Sequence, residues 1–328
     1  MTTMRFRITL TPMAGRIDTH HHIYPPKYLA DAEDSIRRAT HVHFKAISQW
    51  TPAQSLEAMD RDGIATAIVS ISPSVWFGDI AATRKIAREW NEYAADLVRD
   101  HPGRFGLFAA LPLPDVQASL SEIAHALDVL DAAGFGLVTN YGDKWPGDAA
   151  FAPVFDELNR RRAVVYFHPT ESPAFENILP NVPPPMIEFP FDTTRAIVSL
   201  LFGGTFGRCA DIRYIFSHGG GALPMLAARI ARIAGNRKDL SAQVPNGVMP
   251  VLRSLYYDIA GINHPIPFNA IRDLVGPSQL LFGTDYPFWS PSVAVAILDE
   301  LGITGTERQR IERDNALGLA AQLAPSAS

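Results

Sequence analysis

The sequence predicts an α/β fold of the (β/α)8 class, a TIM barrel with insertions after strands 1 and 5. Three observations carry that expectation. Eight short apolar runs recur along the 328 residues. The runs barely alternate in polarity, as strands buried on both faces do. Helical patterns with recognisable ends lie between them. An open doubly wound sheet is the competing arrangement of the same elements.

Taken in order, the runs are 16–22, 65–73, 105–113, 134–142, 163–170, 212–219, 255–261 and 279–287. Cores such as Ala-Ile-Val-Ser-Ile, Ala-Val-Val-Tyr-Phe and Tyr-Ile-Phe are rich in β-branched and aromatic residues, which favour strands. After the first run comes an insertion over 23–50, and then Thr51-Pro52-Ala53-Gln54. That tetrapeptide supplies an N-cap threonine, a proline in the first turn and a glutamine placed for a capping box. Residues 80–99 place apolar side chains at helical spacing with charges between them. Gly63, Gly103, Gly134, Gly276 and Gly302 fall where helices should stop. A proline-rich second insertion spans 171–190, and Ser290-Pro291 opens a helix around 293–301. Both insertions follow the C-terminal end of a strand, the barrel face on which active sites form. They read as pocket-shaping loops within one domain over 1–328, with its core at 15–322 and short terminal tails.

The bulk numbers exclude several function classes. Charged residues make up 19% and the net charge is −5, so no basic surface is offered to nucleic acid or an anionic membrane. The first fifteen residues lack the continuous apolar run of a signal peptide, and no stretch approaches bilayer-spanning length. The single cysteine, Cys209, permits no internal disulfide and suits a reducing compartment. A cytoplasmic protein is the expectation.

Chemistry-bearing residues gather at the ends of the predicted strands. Strand 1 ends in Asp18-Thr19-His20-His21-His22; residues two apart share a face, so His20 and His22 point together. Strand 5 ends in His168, strand 6 in His218 and strand 8 in Asp285. Unpaired at a barrel mouth, each would cost a few kcal/mol. A shared ion removes that cost. Three histidines and one carboxylate, with a position left open, form a catalytic pattern rather than a closed structural one. His20, His22, His168 and Asp285 are therefore the expected ligands of one divalent ion. Strand 4 ends in Val138-Thr139-Asn140-Tyr141, without the lysine or acid that a second ion would need as a bridge.

Other histidines are weaker candidates. His41 and His43 lie in the first insertion, off any strand end, and suit pocket lining better than metal binding. His101 reads as a helix C-terminal residue and His125 as a structural helix residue; His264, after strand 7, is open to either role. Gly219-Gly220-Gly221 lacks the Lys-Ser/Thr of a phosphate loop and instead lets backbone pass close to the site. Asp18 reads equally as an acceptor orienting a ligand histidine or as a turn residue.

The set Asp18-x-His20-x-His22, His168-Pro169, Ser217-His218-Gly219-Gly220 and Gly283-Thr284-Asp285-Tyr286-Pro287 resembles the amidohydrolase superfamily. Within it, the chain is similar to the branch of the aminocarboxymuconate semialdehyde and hydroxybenzoate decarboxylases, most of all the 6-methylsalicylate decarboxylases. Arg104-Phe105-Gly106, Leu111-Pro112-Leu113-Pro114 and the stretch from Glu188 to Arg195 extend the likeness over almost the whole chain. The resemblance implies the same four ligands, with His218 beside the ion. It further implies a homodimer, or an oligomer of dimers, in which Arg229 reaches the substrate of the neighbouring subunit; a surface helix charge is the other reading of Arg229. Some hydroxybenzoate decarboxylases carry a glutamate where Gly221 stands, or an acid where His20 stands. Those departures place this chain nearer the semialdehyde-decarboxylase pattern.

The activity so implied is non-oxidative decarboxylation of an ortho-hydroxybenzoate such as 6-methylsalicylate. Zn²⁺, or alternatively Mn²⁺, would act as Lewis acid and template, Asp285 as proton donor and His218 as its hydrogen-bonding partner. Phe288 and Phe189 are candidates for packing the substrate ring. The alternative is a hydrolase in which the same ligands activate a water against a lactone or amide.

Overall fold

The computed structural model describes residues 15–321 apart from 41–42, 173, 175–177 and 180. Eight parallel strands follow one another in sequence order around the sheet. They are β1 (Arg16–His22), β2 (Ile64–Ser70), β3 (Phe105–Ala110), β4 (Gly134–Val138), β5 (Val164–His168), β6 (Arg213–Phe216), β7 (Tyr256–Asp258) and β8 (Leu280–Leu281). Helices α1 (Pro26–Thr40), α2 (Phe44–Ser48) and α3 (Pro52–Arg61) separate β1 from β2. Single helices follow the next three strands: α4 (Ile80–Asp100), α5 (Val116–Asp128) and α6 (Ala152–Arg160). After β5 come α7 (Pro184–Phe202) and α8 (Thr205–Arg208), and after β6 come α9 (Leu223–Gly235), α10 (Lys238–Ser241) and α11 (Val248–Ser254). The remainder comprises α12 (Pro265–Val275), α13 (Pro291–Glu300), α14 (Gly305–Gln309) and α15 (Asn315–Ala321). This is the (β/α)8 barrel that the alternation of elements predicts.

The seam between first and last strands closes beyond the short β8. Thr19 N donates to Phe282 O at 3.0 Å, Asp285 N to His20 O at 2.8 Å and His22 N to Tyr286 O at 2.7 Å. These bonds hold the predicted ligands of β1 and of the segment after β8 side by side. Inside the barrel, Ile17, Ile68, Phe108, Val164, Tyr166, Ile215 and Leu281 form one apolar layer, closed from below by Ala316 and Leu319. The larger core lies between the strands and the surrounding helices. Both faces of each strand are thus buried, which is why the apolar runs do not alternate.

Thr51 forms the expected capping box, accepting from Gln54 N while Gln54 Oε1 accepts from Thr51 N. Two expectations need correction. Gly134 does not end a helix: it is the first residue of β4, where a Cβ would lie 2.5 Å from Val164 O. Close strand packing, not helix termination, selects glycine there. The first insertion is also not a plain loop, since α1 and α2 lie within it, and the last residues of the second insertion already belong to α7. No described helix is long and apolar enough to cross a membrane.

Candidate metal centre

The site forms where strand ends meet, and Asp18 aligns two of them. Its Oδ1 accepts from His20 N at 3.0 Å and from Thr284 N at 3.1 Å. Its Oδ2 accepts from Thr284 Oγ1 at 2.6 Å and lies 3.1 Å from His21 Nδ1. Asp18 is thus an acceptor, but the ring it orients is that of His21, not of a ligand. Beyond that ring, His21 Nε2 is 3.0 Å from Ser55 Oγ, which accepts from Trp50 Nε1 at 2.9 Å. A carboxylate only accepts, so His21 donates from Nδ1 to Asp18, and the neutral ring takes the Ser55 proton at Nε2.

Four polar side chains converge above this frame. His20, His22, His168 and Asp285 are all buried, and their ligating atoms lie within 4.8 Å of one another. His20 Nε2 and His22 Nε2 are 3.1 Å apart. Asp285 Oδ1 is 3.1 Å from the first, 3.2 Å from the second and 3.9 Å from His168 Nε2. The other ring nitrogens of His20 and His22 face Asp258 Oδ2 at 2.9 Å and Ser70 O at 3.2 Å. Protons at those positions turn two Nε2 lone pairs toward each other and toward a carboxylate. Both ring nitrogens of His168, and Asp285 Oδ1, are buried without a hydrogen bond. Facing acceptors of this kind repel unless a positive charge, either a metal ion or a second proton on His20, lies among them. The donor set, three imidazoles and a carboxylate, fits one divalent ion with a position left open.

The electrostatics agree. Burial lowers the proton affinity of His22 and pushes His168 down to about 3, so both are neutral ligands. Burial opposes a charge on His20 too, but Asp258 and Asp285 outweigh it and raise that imidazole to about 10. Burial likewise opposes ionisation of Asp285, yet the charge on His20 and the close approach of the three imidazoles hold it well below the usual carboxylate range. At neutral pH the metal-free site therefore holds a proton where a metal would bring its charge.

His218 stands beside the cluster, its ring 4.9 Å from that of His20 and 5.6 Å from that of His168. Its backbone is left-handed, with φ of 53°, as is that of Asp285, with φ of 60°. Such conformations are rare for residues with a side chain and concentrate at functional sites. His218 Nδ1 is 3.0 Å from Ala260 O, which takes its proton and leaves Nε2 for the site.

Asp258 is the functional residue that the sequence reading passed over. It ends β7, is fully buried, orients the His20 ring through Oδ2 and accepts His218 N through Oδ1 at 3.0 Å. A signal existed: it is a lone carboxylate inside the apolar run 255–261, where an unpaired charge would be costly. The remaining candidates fall outside the cluster. Phe288 packs edge-on to His22 with ring centres 5.8 Å apart, and His43 packs on Phe288 at 5.5 Å, so the first insertion reaches the mouth. Phe189 is half-buried in α7, and Arg229 is exposed on α9. His264 caps α12 by accepting from Ile266 N, His101 caps the end of α4, and His125 lies 3.6 Å from Glu92. His41 is outside the described residues.

Comparison with known proteins places this geometry in context. A family model described as Amidohydrolase matches residues 17–319. The chain is 36% identical to decarboxylase yanB of Aspergillus niger, over 93% of this chain and 87% of that protein. It is 33% identical to a 6-methylsalicylic acid decarboxylase of Penicillium expansum, over 83% of this chain and 85% of that one. Among solved structures, 2,6-dihydroxybenzoate decarboxylase from Rhizobium superposes with a TM-score of 0.83 at 23% identity, covering 94% and 99% of the two chains. That last likeness concerns the fold.

Proposed function

The chain belongs to the amidohydrolase family, and on that premise we propose that it is a metal-dependent carboxy-lyase of an ortho-hydroxybenzoate such as 6-methylsalicylate. The observation that carries this reading is the cluster of His20, His22, His168 and Asp285 with His218 beside it, in a chain whose relatives include decarboxylases. Those four residues would hold the ion, with zinc first and manganese second for a nitrogen-rich set containing one carboxylate. Bound there, the ion would polarise the carboxylate and phenol oxygens of the substrate and fix the ring.

The protein's own groups then move the proton. Asp285 is ionised in the free site, and a substrate carboxylate brought alongside raises its proton affinity. It takes up one proton from solvent and delivers it to the ring carbon bearing the carboxylate, so that the substrate anion and that proton become the arene and CO₂. A C–H bond forms, the C–C bond to the carboxylate breaks, its electron pair restores the aromatic ring and CO₂ leaves. His218 hydrogen-bonds the phenol through Nε2 and holds the ring in line for that transfer. Phe288, already packed on His22, and Phe189 would flank the ring.

Arg229 completes the reading in a second subunit. It lies between Met225 and Ile233 on one exposed face of α9, these two being 74% and 47% accessible. Exposed apolar side chains around an arginine suit burial against another copy of the chain, which would bring Arg229 to the partner's substrate carboxylate.

The test is CO₂ release from a panel of ortho-hydroxybenzoates, including 6-methylsalicylate, by zinc- and manganese-loaded protein. Metal-dependent release is expected, with Asp285→Asn folded but slower by at least about 100-fold. Full activity in that variant would refute Asp285 as the acid. No release from any member, with solvent oxygen entering a lactone or amide instead, would identify a hydrolase.

A further inference from the structure

His168 is held differently from the other two histidines of the cluster. His20 and His22 each have a second ring nitrogen facing an oxygen, whereas neither ring nitrogen of His168 has a hydrogen bond. Its direction is therefore set by packing against the rings of His20, His22 and His218 and by the backbone that carries it, and that backbone is tied down from β4. Thr139 N donates to His168 O at 3.0 Å, and Thr139 Oγ1 accepts from Thr170 N at 3.2 Å. The two bonds flank the His168-Pro169 step, where proline offers no donor of its own.

Thr139 is in turn fixed by Asp192 of α7. The Asp192 carboxylate is 1% accessible and receives three neutral donors: Thr139 Oγ1 at 2.5 Å, Asn140 Nδ2 at 2.8 Å and Trp145 Nε1 at 2.8 Å. Asn140 Nδ2 also reaches Thr170 O at 3.4 Å. Both carboxylate oxygens are thus occupied by protein, so Asp192 is not free to bind substrate. Three donors converging on one buried carboxylate make a stiff, directional joint. Two residues on, Thr194 Oγ1 accepts from Ala222 N at 3.0 Å, so the same helix supports the turn after His218 by a separate contact.

Resting on the reading of the cluster as a metal centre, we infer that Asp192 is a positioning residue for the ligand His168. It acts through Thr139 and the strand end at Thr170, and it sets the affinity and geometry of the centre without touching the metal or the substrate.

The experiment is cobalt(II) binding to metal-stripped protein, read by the dissociation constant and by the visible absorption of bound cobalt, which reports ligand geometry. Asp192→Asn turns an amide N–H toward Trp145 Nε1–H, and Thr139→Val removes the hydroxyl link. Each should weaken cobalt binding by about tenfold, the low end of the range for groups that orient a ligand, and change the cobalt spectrum. Thr139→Ser keeps the hydroxyl and should match the parent. Thr194→Val, on the same helix, should also bind cobalt as the parent does. Parental affinity and spectrum in Asp192→Asn and Thr139→Val would overturn the inference. So would equal weakening in Thr194→Val, which would mean that general packing of α7 is responsible. A parent chain that takes up no cobalt would instead overturn the reading of the metal centre itself.

Discussion

His20 makes the centre a site of competition between a proton and a metal. Burial opposes its charge, but Asp258 and Asp285 raise its pKa from 6.5 to about 10. A raised histidine pKa stabilises the metal-free fold fully below about 6.5, and the contribution is lost as pH rises through about 10. The sign for metal is opposite, since binding must expel that proton. Metal affinity should therefore rise by up to about tenfold per pH unit below 10. Titrations at two pH values check this, and a pH-independent affinity would contradict it. Asp258→Asn should weaken metal binding about 10–100-fold, because the ligand ring loses its charged partner; a competition titration measures it. The ligands were legible because each ends an apolar run, where an unpaired polar group has no other excuse. Asp258 lies inside its run rather than at its end, and an acid after Tyr256-Tyr257 also looks like an ordinary turn opener. Only the folded structure brings it against His20, 238 positions away.

At the level of elements, the helix starts were readable and the strand ends less so. The Thr51 capping box is local chemistry and stands as the spacing predicts. The eighth apolar run spans 279–287, whereas β8 retains only Leu280–Leu281; its remaining residues leave the ladder to close the seam and carry Asp285. Strand propensity cannot distinguish a residue paired in a sheet from one diverted to a site. The triple glycine is clearer. Gly219, Gly220 and Gly221 all have positive φ, and a Cβ on Gly221 would lie 2.0 Å from the backbone oxygen of Pro190. Gly302 also has positive φ, at 63°, but nothing lies within 4 Å of its added Cβ. Gly302→Ala should therefore cost about 1 kcal/mol of conformational strain, and Gly221→Ala at least about 3 kcal/mol through clash and strain together. Denaturant midpoints compare them, and equal costs would show that the close approach to Pro190 is not rigid.

For the whole molecule, the barrel turns separate polar residues into one site. Residues at the ends of β1, β5, β7 and the segment after β8 are remote in sequence and converge because parallel strands end at one mouth. That convergence was predictable from alternation of strand and helix alone. The contribution of α7 through Asp192 was not, since which helix residue braces which strand end depends on packing that no local pattern encodes. A ligand bound only by the folded state stabilises it by about 2.7 kcal/mol at 100 times its dissociation constant. Stripping the metal should accordingly lower the melting temperature, and restoring zinc should recover it.

The most direct test is metal stoichiometry by elemental analysis after zinc is restored to stripped protein and excess is removed. One equivalent per chain is predicted, falling to near zero in a folded His22→Ala variant. A folded parent chain that retains none, or a His22→Ala variant that retains a full equivalent, would contradict a single ion held by His20, His22, His168 and Asp285.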